Sequence, residues 1–360
     1  MPDAVARLSG MDLARMVSLR DFEAPARAVI DPGVHGYVAG GAWDERTLAD
    51  NEAAWARRAL RPRVLVDVSR VDPATTLLGA RAALPLAIAP LAAHGAVHPD
   101  GEVATARAAA AAGVPFLLST FSTWTIEDVA EAAPDVTRWF QLYVQSDPRR
   151  TRRLVERAAA AGYGAIVLTV DMPVPGYRER ARRSGYDVPD PDRSHLDLPD
   201  EQGVVPLRPD PPPPTPTWAD LAEIGAWAPG LPLVLKGIQT TEDARLAAEH
   251  GVDAIVVSNH GGRQLDRVAA AADLLAEIAP AAGCEVWVDG GIRRGLDVVT
   301  ALALGARGVL LGRPVLWALA TAGQAGVERA LAIVREEVVL ALALLGARGP
   351  AEVGRAHVAP

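Results

Sequence analysis

The stretch SNHGGRQLD, residues 258–266, joins a histidine, an arginine and an aspartate to a Gly-Gly pair directly after an apolar run. Imidazole titrates near neutral pH, so His260 is suited to take a proton as a general base. The planar guanidinium of Arg263 can bind a carboxylate through two parallel hydrogen bonds. Because glycine allows a tight backbone turn, the stretch predicts a base and an anion-binding group side by side.

Other apolar runs also end in polar or small residues that could belong to the same site. These residues are Pro90, Leu91 and Ala92; Ser119; Gln141 and Tyr143; Thr169 and Asp171, with Arg178 shortly after; Lys236; Ser258; Asp289, Gly290 and Gly291; and Gly312 with Arg313. A hydrophobic core does not require such residues at the end of nearly every run. An active site built at the carboxyl ends of parallel strands does require them.

The backbone that must position these residues is indicated by eight short apolar runs. They span residues 86–90, 115–119, 138–144, 165–171, 232–236, 254–259, 285–289 and 308–311. They lack polar alternation, as parallel strands covered on both faces do, and alanine-rich amphipathic stretches ending in glycine separate most of them. Eight such units predict an α/β fold, the (β/α)8 TIM barrel. A doubly wound open sheet is the alternative, but no G-x-G-x-x-G follows the first run.

Two segments lie outside this repeat. Residues 1–80 precede the first barrel strand and predict an N-terminal helical extension packed on the barrel, which would itself span residues 81–360. Residues 184–217 are acidic and proline-rich, with little apolar material. Because long irregular segments in a barrel are usually lids or disordered, we expect a mobile loop here, after the fourth barrel strand.

Composition narrows the class of protein. A net charge of −8 argues against a nucleic-acid partner, since phosphate binding needs a basic face. The single cysteine, Cys284, allows neither an internal disulfide nor a cysteine-based metal cluster, and we predict no metal site. The sequence shows no secretion signal, no bilayer-spanning run and no membrane-binding loop, so we expect a soluble cytoplasmic protein.

One basic residue stands apart from the others. The 36 basic residues include a single lysine, Lys236, at the end of the fifth apolar run. A compact ammonium and a planar guanidinium are not interchangeable. Lys236 is therefore predicted to fill a role that arginine cannot.

The last two strand ends look like a phosphate site. DGGIRRG, from residue 289, and LGRP, from residue 311, offer glycine N–H groups beside Arg293 and Arg313. TIM barrels frequently bind phosphate after their seventh and eighth strands, so we expect an anionic group here.

Six segments share one resemblance and are, in order along the chain, FQLYV, LTVD…GYRER, LVLKGI, SNHGGRQLD, VDGGIRRG and LGRP. They resemble the FMN-dependent 2-hydroxy acid oxidase and dehydrogenase family. That family includes glycolate oxidase, lactate oxidase and mandelate dehydrogenase. The resemblance runs from about Asp21 to the C-terminus. It implies FMN as cofactor, a small-molecule 2-hydroxy acid as substrate, and oxygen or another electron acceptor. It also implies a homotetramer.

The same resemblance implies a role for each matching residue. The catalytic residues would be His260 as the base, Asp171 as its partner, Tyr143 and Arg263. Substrate would be bound by Tyr37, Tyr143, Arg178, His260, Arg263 and Phe121. FMN would be bound by Pro90, Leu91, Ala92, Ser119, Gln141, Thr169, Lys236, Ser258, Asp289, Gly290, Gly291, Ile292, Arg293, Gly312 and Arg313. His260 would take one proton and flavin N5 the hydride, while the Lys236 charge stabilises the reduced ring.

Two positions depart from the family pattern. Leu91 stands where many members have a threonine, and Phe121 aligns with a tryptophan of glycolate oxidases. Phenylalanine lacks the tryptophan's hydrogen-bond donor. We therefore expect an L-2-hydroxy acid with a bulkier, mandelate-type side chain rather than glycolate.

Three other functions stay open at this level. An FMN-dependent monooxygenase or oxidative decarboxylase, or an oxidase of an amine or modified peptide, would use similar residues. The small but present side chain of Ala92 slightly favours simple oxidation. A non-catalytic barrel is disfavoured because His260, Arg263, Arg178 and Lys236 all occur together.

Overall fold

The centre of the molecule is a closed barrel of eight parallel strands surrounded by helices. The structure is a computed structural model that describes residues 12–186 and 215–359. The strands are β1 (Thr75–Leu77), β2 (Ala80–Ala82), β3 (Leu86–Ile88), β4 (Phe116–Ser119), β5 (Arg138–Leu142), β6 (Ile166–Thr169), β7 (Leu233–Ile238), β8 (Ala254–Val257), β9 (Glu285–Val288) and β10 (Gly308–Leu311).

The barrel strands follow one another in chain order from β3 to β9, and β10 closes the ring by pairing with both β9 and β3. Each of the eight predicted runs overlaps one of these strands, which confirms the TIM barrel. Most strands end earlier than the runs, since the polar residues at their carboxyl ends leave the sheet. Strand β7 instead continues past Lys236, through an irregularity in register, to Ile238.

Helices α1 to α3 precede the barrel, and most of the others lie between or after its strands. They are α1 (Glu23–Val29), α2 (Pro32–Ala39), α3 (Arg46–Ala56), α4 (Gly101–Ala112), α5 (Ile126–Ala132), α6 (Pro148–Ala160), α7 (Glu179–Ser184), α8 (Leu221–Ala226), α9 (Thr241–Glu249), α10 (Ala271–Ile278), α11 (Gly295–Leu304) and α12 (Arg313–Leu345). Helix α12 is kinked by non-helical backbone at Ala322 and Gly323.

Helix α6 shows why such sequences are helical. Asp147 caps its first turn by accepting the Arg149 N–H, and Pro148 occupies the first helical position, where no intrahelical donor is needed. Leu154 and Val155 are buried against the barrel, while the arginines face outward. The amphipathic pattern thus fixes which side of the helix covers the sheet.

The described segment before the barrel is helical only as far as Ala56, and residues 75–82 form a hairpin that sequence did not predict. Strands β1 and β2 pair antiparallel, with Thr75 opposite Ala82. Leu77 packs in one interior cluster with Trp139 and Trp287, whose rings stack at 4.9 Å. The Leu78 N–H donates to Glu285, the first residue of β9. The hairpin therefore closes the amino end of the barrel. The predicted boundary between the N-terminal extension and the barrel, at residue 80, stays a proposal.

Helix α3 is fixed to the carboxyl face of the barrel by a buried pair of amides. The Asn51 and Asn259 side chains each donate to the other's oxygen at 2.8 Å. Asn51 Oδ1 also accepts the Ala271 N–H. At the start of the helix, Asp266 accepts the Thr47 N–H at 2.8 Å and so acts as a cap from a distant loop.

The predicted mobile loop at 184–217 lies largely outside the described residues, which omit 187–214. Across the two described ranges, no helix is both long and apolar enough to cross a membrane.

Replacing Asn51 with alanine should lower the free energy of unfolding by about 2–3 kcal/mol, because the Asn259 amide and the Ala271 N–H would lose buried partners. Urea unfolding measures this change. Asp50→Ala, on the exposed side of the same helix, is the matched control and should stay within about 0.5 kcal/mol of the parent. Equal stability of the two variants would show that the amide pair does not anchor α3.

Candidate active site

The SNHGGRQLD motif forms the turn that follows β8. His260, Gly261 and Gly262 have successive positive φ angles of 57°, 63° and 73°, a region in which histidine is among the few enriched non-glycine residues. Ser258 Oγ accepts the His260 N–H at 3.0 Å. A Cβ at position 262 would lie 2.6 Å from the Leu48 nitrogen, so α3 can pack on this turn only over glycine. The turn places His260 on the wall of a cavity.

His260 pairs with Asp171, which follows β6. The His260 Nδ1 lies 2.8 Å from Asp171 Oδ1, and the side chains are 18% and 1% exposed, respectively. Burial acts to raise the pKa of Asp171, but the pairing with His260 and the positive charge of Lys236 help to bring that pKa below its usual value. An ionised carboxylate only accepts hydrogen bonds, so Nδ1 carries the proton and Nε2 is free to accept another.

Burial also sets the charge of the imidazole. It lowers the pKa of His260 below the usual value, against the opposing effect of Asp171. The ring is therefore neutral at pH 7, which is the form a base requires.

Two mostly buried guanidiniums lie near the Tyr37 ring. Their central carbons are 5.8 Å (Arg178) and 4.7 Å (Arg263) from its centroid. Neither pairs with a carboxylate among the described residues, and Arg263 bonds instead to the carbonyls of Tyr37, Val38 and Gly40. Burial and the nearby Arg178 lower the pKa of Arg263 to about 10. Two such cations form a site suited to a carboxylate.

Gln264 holds this site together, and sequence reasoning missed it. Its Oε1 accepts from Arg178 Nη2 at 3.0 Å and from the Gly176 N–H at 3.1 Å. Its Nε2 donates to the carbonyls of Asp171 and Val174. The amide thus ties the loop after β6 to the loop after β8. Its place in the SNHGGRQLD motif was the only available signal.

One wall of the cavity is aromatic and apolar. The rings of Phe121 and Tyr143 stack with centroids 5.1 Å apart, and Met172 and Pro175 line the cavity as well. Burial raises the pKa of Tyr143, so its hydroxyl stays protonated and can donate a hydrogen bond.

Lys236 is buried at the end of the barrel interior, with 4% of its surface exposed. Its Nζ lies 3.2 Å from Asp289 Oδ2 and 3.1 Å from Ser258 Oγ. Burial acts to lower the pKa of Lys236, but Asp289 and Asp171 outweigh it and raise that pKa. The only lysine is therefore a fixed positive charge.

A row of hydrogen bonds crosses the carboxyl ends of three neighbouring strands. Ser119 Oγ donates to Gln141 Oε1 at 3.1 Å, and Gln141 Nε2 donates to Thr169 Oγ1 at 3.0 Å. All three side chains are buried. The row fixes the orientation of the Gln141 amide.

Arg293, which follows the Gly290–Gly291 turn, also lines the cavity, as does Arg313, which shares the Val38 and Gly40 carbonyls with Arg263. Arg313 donates to the carbonyls of Val38, Gly40 and Gly261. Arg293 instead forms an ion pair with Glu52, at 2.8 Å. Burial lowers the pKa values of both arginines.

An open cavity joins these groups. Of the predicted site residues, it is lined by Tyr37, Pro90, Leu91, Ala92, Ser119, Phe121, Tyr143, Arg178, Lys236, His260, Arg263, Asp289, Gly290, Gly291, Ile292, Arg293, Gly312 and Arg313. The four others, Gln141, Thr169, Asp171 and Ser258, lie behind the lining and bond to it directly or through one another. The lining that sequence did not predict comprises Val38, Ala89, Met172, Pro175, Gly261, Leu310 and Leu316.

Comparison with known proteins agrees with the motifs. The model of the FMN-dependent dehydrogenase family matches residues 26–360. An L-lactate oxidase from Nostoc sp. is 47% identical over 92% of this chain and 94% of its own length. The human 2-hydroxyacid oxidase 2 is 44% identical over 94% of this chain and 97% of its own.

A solved structure of mandelate oxidase with (S)-4-hydroxymandelic acid is 43% identical. It superposes with a TM-score of 0.86 over 93% of this chain and 96% of its own. The predicted resemblance, the barrel and the FMN cofactor are confirmed. The chain belongs to the FMN-dependent dehydrogenase family.

Proposed function

We propose that this FMN-dependent oxidoreductase converts an L-2-hydroxy acid with a bulky side chain into the 2-oxo acid. The observation that carries the proposal is a neutral, carboxylate-paired histidine beside two guanidiniums that no carboxylate neutralises in the described chain. Removal of hydrogen from a 2-hydroxy acid requires a base and a carboxylate receptor, and both line this one cavity.

The cavity fits FMN on the chemistry of its free groups. Asp289 Oδ1 is buried and has no hydrogen-bond partner in the described residues, as expected for a group facing the hydroxyls of a ribityl chain. Lys236, held from behind by Ser258, would face the flavin ring, and Arg293 with Arg313 would hold the phosphate. When bound, FMN supplies the acceptor for two electrons.

Arg178 and Arg263 would bind the carboxylate of the substrate, and the Tyr37 and Tyr143 hydroxyls would complete its hydrogen bonds. Gln264 serves this step indirectly, since it fixes the Arg178 guanidinium from behind. Two planar donors set the orientation of the acid as well as its affinity.

His260 Nε2 would accept the proton released from the substrate. Asp171 keeps the proton of the neutral ring on Nδ1 and stabilises the imidazolium that forms. Lys236 stays charged throughout and favours negative charge that develops beside it.

The side-chain pocket supports a bulky substrate. The stacked pair of Phe121 and Tyr143 offers an aromatic wall without an indole donor, and Leu91, Met172 and Pro175 add apolar surface. Mandelate oxidase, a related structure, is known with an aromatic (S)-hydroxy acid bound. Both observations favour an aromatic or large aliphatic group of L configuration.

The proposals extend to the assembly and its location. An exposed apolar surface of Val64 (81% exposed), Leu65 (104%), Leu340 (59%) and Leu344 (70%) supports self-association, here into the homotetramer that the family resemblance implies. Light scattering tests this.

A cytoplasmic location is proposed because one cysteine allows no internal disulfide, and cell fractionation tests it.

Anaerobic mixing with lactate, glycolate, mandelate and longer 2-hydroxy acids should bleach the flavin fastest with mandelate or a long-chain acid. His260→Ala should retain FMN and substrate affinity but lose about 10²–10⁴-fold in reduction rate. Stopped-flow absorbance measures both results. Failure of every acid to reduce the flavin would reject the proposal. Under air, a shortened acid with carbon dioxide would indicate oxidative decarboxylation instead of simple oxidation.

The reduction rate should rise with pH through an apparent pKa below 6.5, because the base is active when neutral and burial lowers the pKa of His260. Asp171→Asn removes the charge that opposes this effect. The acid limb should therefore move to lower pH, and the rate should fall by about 10²-fold or more as the imidazolium loses its partner. An acid limb that moves to higher pH would exclude this pairing.

Lys236→Arg should weaken FMN retention or lower the flavin reduction potential, since the planar fork cannot place its charge where a compact ammonium lies. Equilibrium dialysis and redox titration measure these quantities, with Arg245→Lys, on α9, as the matched control. Wild-type FMN binding and turnover in Lys236→Arg would show that the single lysine has no special role.

A further inference from the structure

Glu52 links the cavity to the solvent through two arginines. Its Oε1 lies 2.8 Å from Arg293 Nη2, and its Oε2 lies 2.8 Å from Arg20 Nη2. The side chains of Arg293, Glu52 and Arg20 are 7%, 29% and 56% exposed, respectively. One carboxylate on α3 therefore bridges a buried cation and an exposed one.

The buried partner, Arg293, belongs to the proposed phosphate end of the cavity. It lies with Arg313 and the Gly290–Gly291 turn on the cavity wall. Glu23 and Asp297 also contribute negative charge to its surroundings. Asp297 Oδ2 accepts the Arg293 N–H, whereas Glu52 is the carboxylate that contacts its guanidinium.

We propose that Glu52 competes with the phosphate of FMN for Arg293 and thereby lowers the affinity of the chain for its cofactor, while Arg20 limits this effect. The proposal rests on the proposed phosphate site. A phosphate near Arg293 brings up to two negative charges close to the Glu52 carboxylate, and like charges repel strongly where little water screens them.

Arg20 offers Glu52 an alternative partner on the solvent side. Both carboxylate oxygens are engaged in the described structure, one by each arginine. If a phosphate binds Arg293 in place of Glu52, the Glu52 carboxylate keeps its ion pair with Arg20, and its negative charge remains partly neutralised. Removing Arg20 would leave Glu52 with Arg293 alone and increase the competition.

The test compares FMN with riboflavin, which has the same ring and ribityl chain but no phosphate. Glu52→Gln should bind FMN about three- to tenfold more tightly in low salt, with a smaller gain as added salt screens the charges. Its affinity for riboflavin should not change. Quenching of flavin fluorescence, titrated into protein stripped of flavin, measures both dissociation constants.

Arg20→Gln should change FMN affinity in the opposite direction, with about twofold or greater weakening under the same conditions. In the double variant Glu52→Gln/Arg20→Gln this weakening should vanish, because the carboxylate that causes it is gone. Asp50→Asn is the matched control: it removes one negative charge from the exposed side of α3, where Asp50 lies 3.9 Å from Arg57. It should leave FMN affinity unchanged.

Arg293→Gln separates failure of the proposal from failure of the site. If this variant binds FMN like the parent, the proposed phosphate site is wrong. If it weakens FMN but not riboflavin, the site is supported. Unchanged or weaker FMN binding by Glu52→Gln, or an equal gain for riboflavin, would then overturn the role of Glu52 alone.

Discussion

Buried positive charge is the constraint on which the rest of this structure depends. Lys236, Arg178, Arg263, Arg293 and Arg313 all line one cavity at the carboxyl end of the barrel. A charge removed from water is costly unless a partner compensates it. The segments around the cavity supply hydrogen-bond acceptors and carboxylates to these buried cations.

Helix α2 provides acceptors for two of the arginines. The carbonyl of Val38, in its last turn, and the carbonyl of Gly40, directly after it, have no partners within the helix. Both accept hydrogen bonds from Arg263 and from Arg313. The carboxyl end of a helix also carries partial negative charge. The segment before the barrel is therefore part of the site, although it contributes Tyr37 as its one predicted site residue.

Carboxylates compensate Lys236 and Arg293, and a further carboxylate bonds to His260. Asp289 pairs with Lys236, while Asp171 lies near Lys236 and bonds to His260. Arg178 is different, since an amide oxygen and a carbonyl hold it without neutralising it. Within residues 12–186 and 215–359 this charge has no carboxylate partner, and it is the charge that a substrate carboxylate would meet.

The sequence predicted the barrel and the composition of its rim because each depends on local pattern. Apolar runs mark the strands, and polar residues at their ends mark one face. Contacts between distant segments could not be read in this way. Gln264 bonds to Arg178, 86 residues away, and Asn51 to Asn259, 208 residues away. The hairpin β1–β2 was missed because its short strands, with Thr75, Thr76 and Arg81, form no apolar run.

The most direct measurement is a crystal structure of the FMN-loaded chain with a 2-oxo acid product bound. The account predicts the FMN phosphate between Arg293 and Arg313, and the product carboxylate between Arg178 and Arg263. It also predicts the oxygen on C2 within hydrogen-bonding distance of His260 Nε2. A phosphate or carboxylate held away from these guanidiniums would contradict the view that the cavity is a receptor for two anions.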